Sequence, residues 1–184
     1  MVIKKFTIQH GILMFKNMEK FNLQFLQSEL NRVSEWIQFS DKKTAFLSAF
    51  YSAIFGLVFY QKESILQHFI IYQKWITCFY AFILFGFIVS FIAGIFFLFK
   101  SVFPRLKNSF TDKSLFYFGH VANMKFIDYS EKIKKLTEDE AKKQIIEQIY
   151  TNSVIADQKM KNIQKSIKSF IVLVFFAIVL LIFI

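Results

Sequence analysis

The sequence is poor in everything that breaks a helix or cross-links a chain. It holds one proline, Pro104, one cysteine, Cys78, and five glycines among 184 residues. A single cysteine excludes an intrachain disulfide, and Cys78 lies in an apolar run, where a thiol packs as a small hydrophobe. Metal-ligand spacing is missing too. His10, His68 and His120 stand far apart, and neither HExxH nor CxxC occurs. There is no GxSxG, no P-loop, no GxGxxG and no paired histidine–carboxylate motif. These absences argue against an enzyme and leave no catalytic residue and no metal ligand to name.

Charge is missing from three stretches. Thr44–Tyr60 runs 17 residues without one, Trp75–Phe99 runs 25, and Phe170–Ile184 runs 15. The chain is 55% hydrophobic, with 27 phenylalanines and a mean hydropathy of +0.42. Soluble domains are usually about 45–50% apolar. The excess sits in blocks, which points to a lipid bilayer. A bilayer core of about 30 Å needs roughly 20 helical residues. The second run is long enough, the first is borderline and the third is short. The third gains length if Ile167 extends it while Lys165 and Lys168 snorkel. Local thinning of the bilayer or shelter in a homo-oligomer would ease the remaining mismatch. The first run starts more than forty residues into the chain, so it does not read as a signal peptide. With no charge inside any run, a transporter or proton relay is disfavoured.

The net charge is +10. In a soluble protein that would suggest DNA or RNA, but cytoplasmic flanks of membrane helices also collect Lys and Arg. Of the 23 Lys and Arg, seven lie in 1–43, two in 61–74 and fourteen in 100–168. If all three runs span, 21 fall on one side. The N-terminus and 100–168 are then cytoplasmic, and 61–74 and the C-terminus are external.

The expected class is an all-α membrane protein with three transmembrane helices and a cytoplasmic helical bundle. Its expected parts are a cytoplasmic amphipathic helix over 1–43, spans over 44–60, 75–99 and 169–184, a short external loop over 61–74 and a cytoplasmic sensor region over 100–168. Residues 12–55 contain neither Gly nor Pro, and Leu23, Leu26, Leu30, Val33 and Ile37 form a one-sided seam. That helix should run unbroken into the first span, with Trp36 as an interfacial anchor. Asp41 at this junction reads as a capping or ion-pairing acid. Pro104 ends the second span, and Arg105 and Lys107 then meet headgroups. Asp128 with Glu131, and Thr137 with Glu140, have helix-start spacing, so a short helix near 129–135 precedes a long one. The 47 residues from Glu138 to Ile184 lack Gly and Pro and would reach about 70 Å as one helix.

The long helix carries a seam of its own: Ile146, Ile149, Ser153, Ala156, Met160, Ile163 and Ile167. It is expected to pack against the N-terminal seam. Gln148, Asn152 and Lys159 flank it, as either a polar edge of a packed helix or a donor-rich strip suited to a base edge and a phosphate. The stretch LFYFGHVA, 115–122, reads as a buried element, strand-like or tightly turned, in which Gly119 permits close backbone approach. His120 is either a satisfied packing histidine or a ligand contact.

Three motifs resemble one family. WIQFSDKKTAFL at 36–47 resembles a junction of the form W-I-x-F-A-D-x-K-A, with Ser40 where the family tends to have Ala. LFYFGHVA followed by DYSEKIKKL resembles F-G-H-I-A with a Tyr-containing helix soon after. IIEQIYTNSVIADQKM resembles Q-I-x-x-N-S-x-I-x-x-x-K. In this order they resemble the Pycsar transmembrane effectors of bacterial antiphage defence. The resemblance implies a multi-pass protein of the bacterial inner membrane that is activated by a cyclic nucleotide second messenger. The messenger would be a cyclic pyrimidine mononucleotide, cyclic UMP or cyclic CMP, and activation would impair the membrane in abortive infection. It implies no other cofactor and no DNA or RNA partner. By position it singles out Asp41 and Lys43, then Gly119 and His120, then Gln148, Asn152, Ser153 and Lys159. Lys159 or Arg105 would meet a cyclic phosphate, and Tyr117 or Phe118 would stack on a pyrimidine. A membrane scaffold whose cytoplasmic helices bind a protein partner is the competing reading.

Overall fold

A computed structural model describes residues 22–71, 74–103 and 114–182, and every regular element among them is a helix. In chain order these are α1 (Leu23–Tyr60), α2 (Lys62–Ile71), α3 (Lys74–Val102), α4 (Phe118–Val121), α5 (Phe126–Lys135) and α6 (Glu138–Ile182). The all-α class follows from the scarcity of breakers. The helices α1, α3 and α6 are each long and apolar enough to cross a membrane. Pro104, Arg105, Lys107 and the side chains of His68 and Phe118 lie outside the described residues, as does His10.

Caps set the helix starts. Asn22 opens α1, its side-chain oxygen accepting from the Gln24 amide at 3.2 Å. Thr137 and Glu140 form the reciprocal box read from the sequence. The Glu140 amide donates to Thr137 Oγ1 at 3.3 Å, and the Thr137 amide donates to Glu140 Oε2 at 3.0 Å. Two expectations need correction. The 61–74 loop is helical over Lys62–Ile71. The short helix begins at Phe126 behind Lys125, so Asp128 sits in its first turn and does not cap it. An acid in a first turn is favoured by the helix dipole as well as at a cap, and spacing alone does not separate the two.

The chain divides into two compact units, and α1 and α6 contribute to both. A polar unit comprises Met1–Trp36 with Lys107–Val154, and an apolar unit comprises Ile37–Leu106 with Ile155–Ile184. In the apolar unit Tyr51, Tyr80, Phe87, Leu173, Ala177 and Leu180 form the centre of the core. The buried hydroxyls of Tyr51, Ser166, Tyr80, Thr44 and Ser101 pair across helices, while Ser40 and Ser90 bond carbonyls of their own helix. Tyr51 of α1 donates to the Ser166 carbonyl at 2.7 Å, and Ser166 Oγ donates to the Gly94 carbonyl of α3 at 3.1 Å. Tyr80 donates to the Leu180 carbonyl at 3.0 Å, and the hydroxyls of Thr44 and Ser101 meet at 3.1 Å. Without water, each such group needs an internal partner. Two glycines let the helices close. A Cβ on Gly94 would lie 1.9 Å from the Tyr51 hydroxyl, and one on Gly86 would lie 2.5 Å from the Phe176 ring. Ser40, at the position where the resembled motif has Ala, is completely buried, and its hydroxyl bonds the Ile37 carbonyl at 2.6 Å.

The seam of α6 differs from the one read from apolar spacing. In the polar unit Lys142 and Ile145 are buried, while Ser153 is exposed. In the apolar unit Lys159, Ile163 and Ser166 are buried, while Ile167 is exposed. Apolar spacing cannot register a buried polar residue. Lys142 is buried against Glu138, Lys159 against Asp41 and Ser166 against Gly94, so the inward face lies about one residue earlier.

Candidate functional site

The polar unit contains a cleft of about 400 Å³ between α5, the start of α6 and the backbone at Ser114–Leu115. Known ligand clefts run from roughly 300 to 1,000 Å³. Leu115 and Leu136 give it apolar surface, Lys132, Lys135 and Lys143 give it positive charge, and Glu140, Gln144 and Glu147 complete its polar wall. Lys132 and Lys135 form no ion pair among the described residues, and both are exposed. They are therefore open to an anion.

Gln144 is held by its oxygen. The Leu115 amide donates to Oε1 at 2.8 Å, and the Ser114 hydroxyl lies 3.4 Å from the same atom. Only the oxygen of an amide can accept from an N–H, so the flip state is chemically fixed. The Nε2 group is left as a donor. Ser114 is itself placed by a local turn, its hydroxyl accepting from the Phe116 amide at 3.2 Å. Behind it stands His120, whose Nδ1 accepts from the Ser114 amide at 3.0 Å. The imidazole meets the Tyr117 ring edge-on at 5.0 Å between centroids. Gly119 lies under that ring, where a Cβ would come within 2.7 Å of Tyr117 Cε1, and its carbonyl accepts from Asn123 at 2.7 Å. The near contact at Gly119 is with the side chain of Tyr117, two residues earlier. The element is a turn leading into α4, not a strand, and Phe116 and Tyr117 are exposed where burial was expected. His120 thus holds the backbone at Ser114, next to the Leu115 amide that meets Gln144.

One turn before Gln144, Glu140 belongs to the capping box at the start of α6. The Thr137 backbone amide, then its hydroxyl, holds the Glu140 carboxyl below its ordinary range. The Lys142 ammonium does the same for Glu138, by hydrogen bond and by charge.

The remaining sequence candidates divide between the units. Gln148 and Asn152 are half-buried in the polar unit, and neither lines the cleft. Gln148 Oε1 is buried with no hydrogen-bond partner among the described residues. Asp41 and Lys159, 118 residues apart, form an ion pair in the apolar unit. Asp41 is therefore the ion-pairing acid that its position suggested, and Lys159 holds a carboxylate rather than an open anion site. Lys43 is exposed, its ammonium 4.2 Å from the centroid of Phe39.

Sequence reasoning missed Lys132, Lys135 and Gln144. Their signal was a polar stripe, Glu140, Lys143, Gln144 and Glu147, at helical spacing beside a K-x-x-K on the preceding short helix.

The Pycsar effector protein domain matches residues 25–184, nearly the whole chain. The chain belongs to the Pycsar effector family. It is accordingly a cyclic-nucleotide-linked effector of antiphage defence and, with its three apolar helices, a membrane protein. No curated protein and no solved structure matches it. The family match covers all three motifs, and their polar residues have different tasks: Asp41 pairs with Lys159, and His120 braces Ser114.

Proposed function

We propose that this Pycsar effector is switched by a cyclic pyrimidine mononucleotide, cyclic UMP or cyclic CMP, bound in the cleft of the polar unit. The observation that carries the reading is the course of α6. It supplies Glu140, Lys143, Gln144 and Glu147 to the cleft and continues without Gly or Pro to Ile182. A ligand that draws these residues together acts directly on a helix long enough to cross a membrane.

The chemistry of the wall suits such a ligand. Lys132 and Lys135 attract the single negative charge of a cyclic phosphate. The Gln144 amide donates to a carbonyl of the base, Glu140 or Glu147 accepts the ribose hydroxyl, and the leucines cover an apolar edge. The ligand shifts the resting equilibrium by as much as it prefers the switched state. In the cell this reading gives an inner-membrane protein with its N-terminus and 100–168 cytoplasmic and 61–74 and the C-terminus external. Activated copies gather as a homo-oligomer and impair the bilayer in an abortive response. The spans would be 44–60, 75–99 and 169–184.

The test is dye release from liposomes carrying the full chain, together with calorimetric binding. Cyclic UMP or cyclic CMP should bind and release dye. Lys132→Glu with Lys135→Glu should weaken binding by about tenfold or more, the value of charge-assisted hydrogen bonds, while leaving the melting temperature unchanged. Binding that survives both substitutions would remove the cleft from the proposal. No binding of any cyclic nucleotide would remove the ligand as well.

A further inference from the structure

Lys100 is the last charged residue of α3 and directly follows its uncharged run, and Lys165 and Lys168 are the last charged residues of α6 before its own. All three are exposed and form no ion pair among the described residues. The apolar unit has no acid to offer them. Its described acids are Asp41, Glu63 and Asp157. Asp41 pairs with Lys159 and Asp157 with Lys161, and Glu63 lies beyond the first apolar run, in α2. An unpaired ammonium at the edge of a hydrocarbon layer reaches for the headgroups.

Two of these lysines share one groove. Ser166 Oγ donates to the Gly94 carbonyl at 3.1 Å, and Asn162 Nδ2 donates to the Lys100 carbonyl at 3.2 Å, so α3 and α6 run antiparallel here. That register sets Lys100 level with Asn162 and Lys165 about one turn, roughly 5 Å, deeper towards the hydrocarbon. Adjacent rings carry the two side chains. The Lys100 ammonium is 4.6 Å from the Phe96 centroid, the Lys165 ammonium is 5.5 Å from the Phe97 centroid, and the two rings meet edge-on at 5.7 Å. A ring face holds an ammonium on one side and leaves donors free on the other. Two like charges held at one groove repel until an anion joins them.

The surroundings select the anion. Phe96 is 52% exposed on a helix apolar enough to cross a membrane, so an occupant that touches the lysines also meets aromatic surface. A phospholipid offers both parts, a charged phosphodiester and an acyl chain, and the bilayer supplies it at this depth. We infer that the α3–α6 groove binds an anionic phospholipid, with its phosphodiester between the Lys100 and Lys165 ammonium groups and an acyl chain along Phe96 and Phe97. The lysines of α1 are a weaker attractor, because Lys42 and Lys43 stand beside the acid Asp41.

The experiment uses the full chain with Trp36→Phe and Trp75→Phe, so that one introduced tryptophan reports alone. Phe96→Trp places it in the groove. Phe46→Trp places it on α1, one turn from Lys42 and Lys43, where a diffuse basic field would act as well. The protein is reconstituted in phosphatidylcholine vesicles holding a minor fraction of phosphatidylglycerol, with bromine quenchers on the acyl chains of one lipid or the other. A site predicts enrichment of phosphatidylglycerol at position 96 on the order of tenfold, the effect of two lysines at a membrane surface, and a several-fold smaller one at 46. Lys100→Gln with Lys165→Gln should remove the enrichment at 96 without lowering the melting temperature. Lys100→Arg with Lys165→Arg should keep it, and so should Lys42→Gln with Lys43→Gln. Equal quenching at 96 by the two lipids overturns the inference. Equal enrichment at 46 and 96 overturns it in favour of a diffuse basic collar. Enrichment abolished by inorganic phosphate or cyclic UMP at fixed ionic strength overturns it in favour of a soluble anion. The readout requires no activation by nucleotide, so its failure leaves the cleft of the polar unit untouched.

Discussion

In the apolar unit the helices meet through hydroxyls that donate to carbonyls and glycines that admit a neighbouring ring. In the polar unit the contacts are a capping box, a pinned glutamine, a braced serine and lysines left open. The difference follows from the two solvents. Lipid offers no hydrogen bonds, so Tyr51, Tyr80 and Ser166 each reach a carbonyl, and the geometry leaves little slack. Water offers partners everywhere, so the polar unit spends few contacts on rigidity and keeps Lys132, Lys135 and the Gln144 amide available. One unit is built for fixed packing, the other for exchange of partners.

Substitution at Gly94 gives the sharpest test of that contrast. Gly94→Ala drives a methyl into the Tyr51 ring, which is anchored on Ser166, and should cost about 3 kcal/mol, the upper range for overpacking. Thermal unfolding in detergent measures it. Tyr51→Leu in the same chain should recover part of the loss. A cost below about 1 kcal/mol would show that the helices slide apart easily and that the apolar unit is not rigid.

The ion pair comes next. The Lys159 side chain is 8% exposed and that of Asp41 51%. Asp41→Ala strands a buried ammonium and should destabilise by about 2 kcal/mol. That is less than the 3–5 typical of fully buried pairs, because the acid is half in water. Lys159→Met beside it should restore most of the stability, since an apolar chain fills the same path. A double-mutant cycle reads the coupling.

A smaller effect, of opposite sign, is expected in the polar unit. Gln148→Leu removes a buried carbonyl that has no partner among the described residues. Chemical denaturation should show stability unchanged or raised by up to about 1 kcal/mol. A comparable loss would mean that the amide is satisfied in solution.

The least effect is electrostatic and belongs to the first turn of α6. Glu138 and Glu140 have folded-state values below the ordinary 4.5. Their contribution is therefore fully present above pH 4.5 and is lost as pH falls through the lowered folded values. Both carboxylates are solvent-exposed, so the expected outcome is fraying of that turn, seen as faster exchange of the Glu140 amide, with no global unfolding.

Much of this was legible in the chain. The long uninterrupted helices, the Thr137–Glu140 box and the family follow from residue order, because caps, breakers and motif spacing act over a few positions. The helix over Lys62–Ile71 was not legible, since charged residues and a short length between two apolar runs read equally as a loop. The inward face of α6 was misread for a deeper reason. A lysine or serine goes inside only when a distant partner receives it, and Lys159 finds its partner 118 residues away.

The sequence by itself determined the helical class, the three apolar runs and the family, because periodicity, the absence of breakers and motif order are local properties. Only the tertiary structure decided which polar residues are spoken for and which remain open. Asp41 and Lys159 neutralise each other, His120 turns inward to hold Ser114, and Lys132, Lys135 and Gln144 are left facing a cleft. A side chain's availability depends on what the fold brings beside it, and hydrogen bonds and charge pairs between distant segments set that.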